Sequence, residues 1–174
     1  MIRKILVLFV AFILAIGWTM VEPRAAQTPA GGKGIPVITQ SFASKELRVG
    51  DVWKVYLKAP DPDGRMKYIF ATISQPGVGT YPVSITRIKD ENQKEISGYI
   101  YLNTAPIEST QFFNLTLTLT VNIQGPGGVF SQAAVFPLSF QPKAGQERPP
   151  GGTFKEQSLG PIMVTLKSPS GARA

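Results

Sequence analysis

Between Val37 and Phe140, apolar side chains recur at every second position in short runs punctuated by Gly, Pro, Asn and Asp. A β-strand points successive side chains to opposite faces, so this alternation predicts half-buried strands, and no competing helical stripe crosses the same region. The pattern predicts strands over Val37–Phe42, Val52–Ala59, Met66–Ser74, Tyr81–Ile88, Ile96–Leu102, Phe112–Ile123 and Val129–Phe140. That spacing predicts an all-β domain, a seven-stranded antiparallel immunoglobulin-like sandwich over residues 37–140.

The clearest strand places Phe113, Leu115, Leu117, Leu119, Val121 and Ile123 on one face and Phe112, Asn114, Thr116, Thr118, Thr120 and Asn122 on the other. The first set suits a core, and the second forms a threonine ladder for solvent or a partner. Gly125-Pro126-Gly127-Gly128 follows as a turn and predicts a hairpin. Its second arm carries Phe130, Ala134, Phe136, Leu138 and Phe140 on one face. Pro137 falls on the opposite face and removes a backbone donor, which fits an edge or a bulge and argues against a central strand there.

The flanks read differently. Ile5 to Val21 is a nearly unbroken apolar run behind Arg3 and Lys4, the form of an export signal. It is short for a spanning helix but reaches the lower limit for one, so residues 1–26 read as a signal peptide or a membrane anchor. Either way the chain is expected to be exported, and to be periplasmic, at the cell surface or extracellular. Residues 27–36 read as a flexible linker. The tail, 141–174, is Pro/Gly-rich and holds one candidate strand, Ile162 to Leu166, which would add to a sheet edge, meet a partner, or belong to a disordered end.

Composition narrows the chemistry. The chain has no His and no Cys, which removes His-based triads, thiol nucleophiles, disulfides and the usual zinc sites. With no nucleophile–base pair in view, the expectation is that the protein is not an enzyme. The formal net charge of +7 falls to +5 without Arg3, Lys4, Arg24 and Glu22, and the basic residues are scattered. Nucleic-acid binding is therefore not expected.

Leu47 to Val55, with Gly50 and Trp53, followed by Asp61-Pro62-Asp63-Gly64 and then Met66, Tyr68 and Phe70 at alternate positions, resembles bacterial PKD-like or cadherin-like sandwich domains. Leu117 to Val121 with the glycine turn after it resembles their closing hairpin. The likeness covers Val37 to Phe140, with Phe70 where such domains usually carry tryptophan. It implies an adhesive, matrix or spacer role in envelope proteins.

Two groups of residues are candidates for a site. Asp61 and Asp63 share a turn, and Asp90 could add a carboxylate from another loop, the oxygen chemistry calcium uses. The plain alternative is a turn preset by Pro62 and Gly64 with solvated carboxylates. Tyr56, Tyr99 and Tyr101 alternate with core positions and are expected to face outward, where they could stack on glycan rings, anchor protein partners, or pair across strands. No cofactor other than calcium is implied. The sequence thus points to a non-enzymatic structural or protein-interaction module of the cell envelope that docks other proteins by strand addition; the alternative is a small carbohydrate-binding module using the three tyrosines. Asn114-Leu115-Thr116 is a glycosylation acceptor tripeptide, read as chance in mid-strand.

Overall fold

The computed structural model describes residues 35–104 and 115–167. The apolar run, its cleavage or anchoring, most of the linker, the glycosylation tripeptide's Asn114 and the first residues of the Phe112–Ile123 segment lie outside the described residues.

The chain is all-β where it is described. Strands β1 (Gln40–Ala43), β2 (Glu46–Leu47), β3 (Val52–Pro60), β4 (Tyr68–Gln75), β5 (Gly79–Thr80), β6 (Ser84–Arg87), β7 (Glu95–Asn103), β8 (Thr116–Gln124), β9 (Ala134–Phe140) and β10 (Ser158–Pro161) follow in order. They form a four-stranded sheet, β1-β3-β7-β10, and a six-stranded sheet, β2-β9-β8-β4, in which β5 and β6 both pair with β4. The inward residues of both sheets join in one hydrophobic core. In β8 the alternation works as expected: Leu117, Leu119, Val121 and Ile123 are fully buried, and the threonines between them point outward. Trp53, Val55, Leu57 and Ala59 of β3 meet them from the other layer.

Two features depart from a purely antiparallel seven-strand arrangement. Both sheets are mixed, because β2 pairs parallel with β9 and β10 pairs parallel with β7. The three additional strands, β2, β5 and β10, are short edge elements of two to four residues, below the length at which alternation is readable. The Tyr81–Ile88 segment contributes only Ser84–Arg87.

The first segment divides between the layers. After Ala43 the chain leaves β3, and at Glu46 it joins β9 in the other sheet. Trp53 pins the corner by donating its indole N–H to the Ser44 carbonyl at 2.9 Å. The amides of Ser139 and Gln141 donate to the Lys45 and Leu47 carbonyls, so odd-numbered amides of β9 point toward β2. Pro137 is the next residue in that series and lies beyond the reach of β2. It removes the donor that an added strand would need, as its sequence position predicts.

The tail does not behave as a linker. From Gln146 to Lys167 it is held at many points. Gln146 donates to the Ser44 hydroxyl at 2.7 Å and accepts from the Lys54 amide at 2.8 Å. Tyr99 donates its amide to the Gln157 carbonyl at 2.9 Å, and the Ile162 amide reaches the Tyr101 carbonyl at 2.7 Å. The segment then crosses to the other layer, where the Met163 amide donates to the Ser84 hydroxyl at 2.8 Å and the Lys167 amide to the Tyr81 hydroxyl at 2.7 Å. Ile162 and Leu166 enter the core. The extra strand therefore lies at Ser158–Pro161 rather than 162–166, and it is an edge addition made by the chain to itself. Ile162 to Leu166 forms no strand: the Val164 amide turns back to the Ile162 carbonyl at 2.9 Å, and the segment is anchored by its bonds to Ser84 and Tyr81.

Candidate functional site

Each sheet has an outer face, and the two faces are treated differently. On the four-stranded sheet, Phe42, Tyr56 and Tyr99 occupy matched register positions across β1, β3 and β7 and form an aromatic row, with ring centroids 6.2 Å and 5.4 Å apart. Tyr101 continues it edge-on from Tyr99 at 6.4 Å. Strand alternation places these rings outward, as expected, but Tyr56 is not exposed: only 2% of it remains accessible. The C-terminal segment lies over it. Phe154 packs on the Tyr56 ring at 5.6 Å, and Glu156 accepts the Tyr56 hydroxyl at 2.5 Å. Tyr99 and Tyr101 are half-buried.

Lys54 completes this cover, with its ammonium 4.4 Å from the centre of the Tyr99 ring and 3.2 Å from Glu156. Burial pushes the Tyr56 hydroxyl far above its usual range, and the bond and charge of Glu156 act in the same direction. The Tyr56 bond in turn holds the Glu156 carboxyl below its usual range, with Lys54 assisting. The arrangement is a latch for the tail. Tyr56 and Tyr99 are a cross-strand pair with Tyr101 beside them on β7, and Tyr56, covered by the chain's own tail, offers no open ring to a ligand.

The acidic turn is also internally committed. Asp61 is nearly buried and accepts the amides of Asp63 at 3.2 Å and Arg65 at 3.0 Å. The Arg65 guanidinium lies 3.4 Å from Asp61 and 2.6 Å from Asp63. Asp90 accepts from its neighbour Gln93 at 3.0 Å. Among the described residues no three acidic side chains gather in a group that could hold a metal ion. Gly64 adopts φ 64°, as the turn requires.

No described residue covers the outer face of the six-stranded sheet. Register places Ile85, Phe70 and Asn122 in one row, Thr72, Thr120 and Val135 in the next, and Ser74, Thr118 and Pro137 in a third. Phe130 meets Phe70 edge-on at 5.0 Å, and Tyr68 meets it at 6.5 Å. Ile85, Phe130 and Val135 are 52%, 45% and 58% exposed. Arg87, at the end of β6 opposite Tyr68, is the one charged residue at the outward positions of β4, β6, β8 and β9.

Phe130 was expected on the core face with Phe136. The structure reverses it through a one-residue slip. Ladder partners of β8 and β9 run from Thr116↔Ser139 to Val121↔Ala134, whereas the outlying bridge joins Gln124 to Phe130, one residue out of phase. Ser131 fills the irregularity by accepting the Ile123 amide on its hydroxyl at 2.9 Å. Such a bulge sends every residue beyond it to the other face.

No protein-family model, curated protein or solved structure matches the chain.

Proposed function

We propose that the protein is a non-enzymatic, exported structural or protein-interaction module of the cell envelope, built on an immunoglobulin-like plan. The plan is supported by the sheet orders β1-β3-β7 and β2-β9-β8-β4-β6, with the first segment split between layers and its second half parallel to the last strand of the hairpin. Export is supported by Arg3 and Lys4 ahead of the apolar run.

The observation that carries the interaction role is the contrast between the two outer faces. The chain folds its own tail over the aromatic row of one sheet, and among the described residues nothing covers the aromatic and threonine face of the other. An open, contiguous patch of this kind marks a contact surface. Strand addition is blocked at two places: β10 occupies the free side of β7, and Pro137 removes a donor from β9 beyond the reach of β2. The face of the sheet, rather than its edge, is the contact element.

The test is the native mass of the full chain after gentle solubilisation from its source cells, comparing the wild type with Ile85→Glu/Val135→Glu. The wild type is expected in an assembly heavier than one chain, and the variant at a lower mass with its circular dichroism unchanged. A single-chain mass for both would refute the role.

A further inference from the structure

We infer that the open face of the six-stranded sheet pairs with the same face of a second copy of this chain. The inference rests on the interaction role proposed above and names its partner.

Charge comes first. The chain carries a formal net charge of +7, yet the outward positions of β4, β6, β8 and β9 hold only Arg87, at their margin, and Glu46 on β2 adds one opposite charge at the far side of the sheet. An acidic protein or a polyanion would be recognised through Lys and Arg, and those lie elsewhere. A partner for this face is itself uncharged where it touches, and another copy meets that condition. Two sheets in contact lie about 10 Å apart, and the basic residues outside the patch are screened over about the same distance.

Hydrogen-bonding chemistry makes the same selection. The polar groups between the apolar ones are Thr72, Ser74, Thr118, Thr120 and Asn122. Each hydroxyl or amide both donates and accepts, so a surface made of them is complementary to itself, whereas a donor-only or acceptor-only surface would need an opposite. A two-fold axis sets the same patch against its own copy, as an isologous interface requires.

The area is sufficient and not generous. Four strands at about 4.8 Å by about six residues at about 3.4 Å give roughly 400 Å² in projection, or on the order of 500 Å² of accessible surface per copy. Two copies bury about 1,000 Å², the floor for a specific contact, so the pair forms reversibly. Two such faces in contact pack at the small angle that the twist of each sheet sets.

The test uses the absence of cysteine. A single cysteine introduced as Thr120→Cys in the full chain is labelled with benzophenone-maleimide and irradiated in gently solubilised membrane and soluble fractions. Glu91→Cys, on an exposed turn, is the control, and circular dichroism checks the fold of each variant. The expected product is an adduct of twice the 18.8 kDa chain mass at position 120 and not at 91. Adding Val135→Glu, which would bury an unpaired carboxylate from each copy, lowers that product by at least about tenfold. Adducts at position 120 only with other proteins would overturn the second copy while leaving the interaction role standing. No adduct above the control would remove both.

Discussion

Gly98→Ala is the sharpest probe of the tail's role. Gly98 is buried in β7 opposite Leu57, and a Cβ there would sit well under 3.0 Å from the Gln157 carbonyl oxygen, with the Gln157 carbonyl carbon and the Leu159 side chain both at 3.3 Å. The obstructing atom is backbone, so a side-chain rotation cannot relieve the clash. The φ of Gly98 lies outside the left-handed region, so alanine has no conformational penalty of its own there. Forcing one methyl into packed space costs about 1–3 kcal/mol. The Tyr99-to-Gln157 backbone bond, 2.9 Å in the native chain, is lengthened or lost, adding about 1 kcal/mol. A total of about 2–4 kcal/mol lowers the melting temperature of a chain this size by roughly 4–16 °C. The assay is thermal unfolding paired with limited trypsin digestion, because Lys155 lies in the segment that would be released and its bond to Glu156 is a cleavage site. Gly145→Ala, where nothing lies within 4 Å, is the control and should change stability by no more than about 0.5 kcal/mol. A Gly98→Ala protein melting within about 2 °C of the wild type, with Lys155 still protected, would refute the view that the tail is an integral part of the fold.

Further outcomes follow from the same contacts. The Glu156 carboxyl titrates below its usual value of 4.5 when folded, so its contribution is complete above that pH and fades as pH falls through the lowered value. Tyr56 titrates above its usual 10.0, so its contribution is complete below that pH and fades only as pH rises through the raised value. The latch's contribution to the melting temperature should therefore hold from weakly acid pH to about pH 10 and decline on either side, with Glu156→Gln removing the acid limb. Asp61→Ala should cost about 1–3 kcal/mol in urea unfolding, by stranding the Asp63 and Arg65 amides, and the loss should be equal in calcium and in chelator. Pro137→Val should restore a donor to the open edge of β9 and raise thioflavin-positive aggregation on prolonged incubation, with little change in melting temperature.

Local chemistry decided much of this molecule, and particular residues show where it stopped. The period of two in Leu117, Leu119, Val121 and Ile123 determined both the strand and the face it buries, because alternation is a property of the extended backbone itself. Pro137 announced an edge for the same kind of reason: a missing donor is legible wherever the residue falls. The turn at Asp61 to Gly64 was equally readable, although its carboxylates proved to be bound to their own turn and to Arg65.

What tertiary structure alone decided are the matters set by distant partners. Tyr56 faces outward by parity, yet it is buried, because a segment about a hundred positions later folds across it. Nothing in the Pro/Gly-rich composition of that segment signals a landing place, since its anchors, backbone bonds and side chains such as Gln146, Phe154 and Glu156, follow no repeating pattern. Phe130 left the core for the open face through a single bulge, a change of register that alternation cannot foresee because it interrupts alternation. The sequence by itself thus determined the longer strands and the faces they bury, which depend on neighbours along the chain. Which outer face is covered and which stays open depends on contacts between residues far apart in sequence, and only the folded chain settles those.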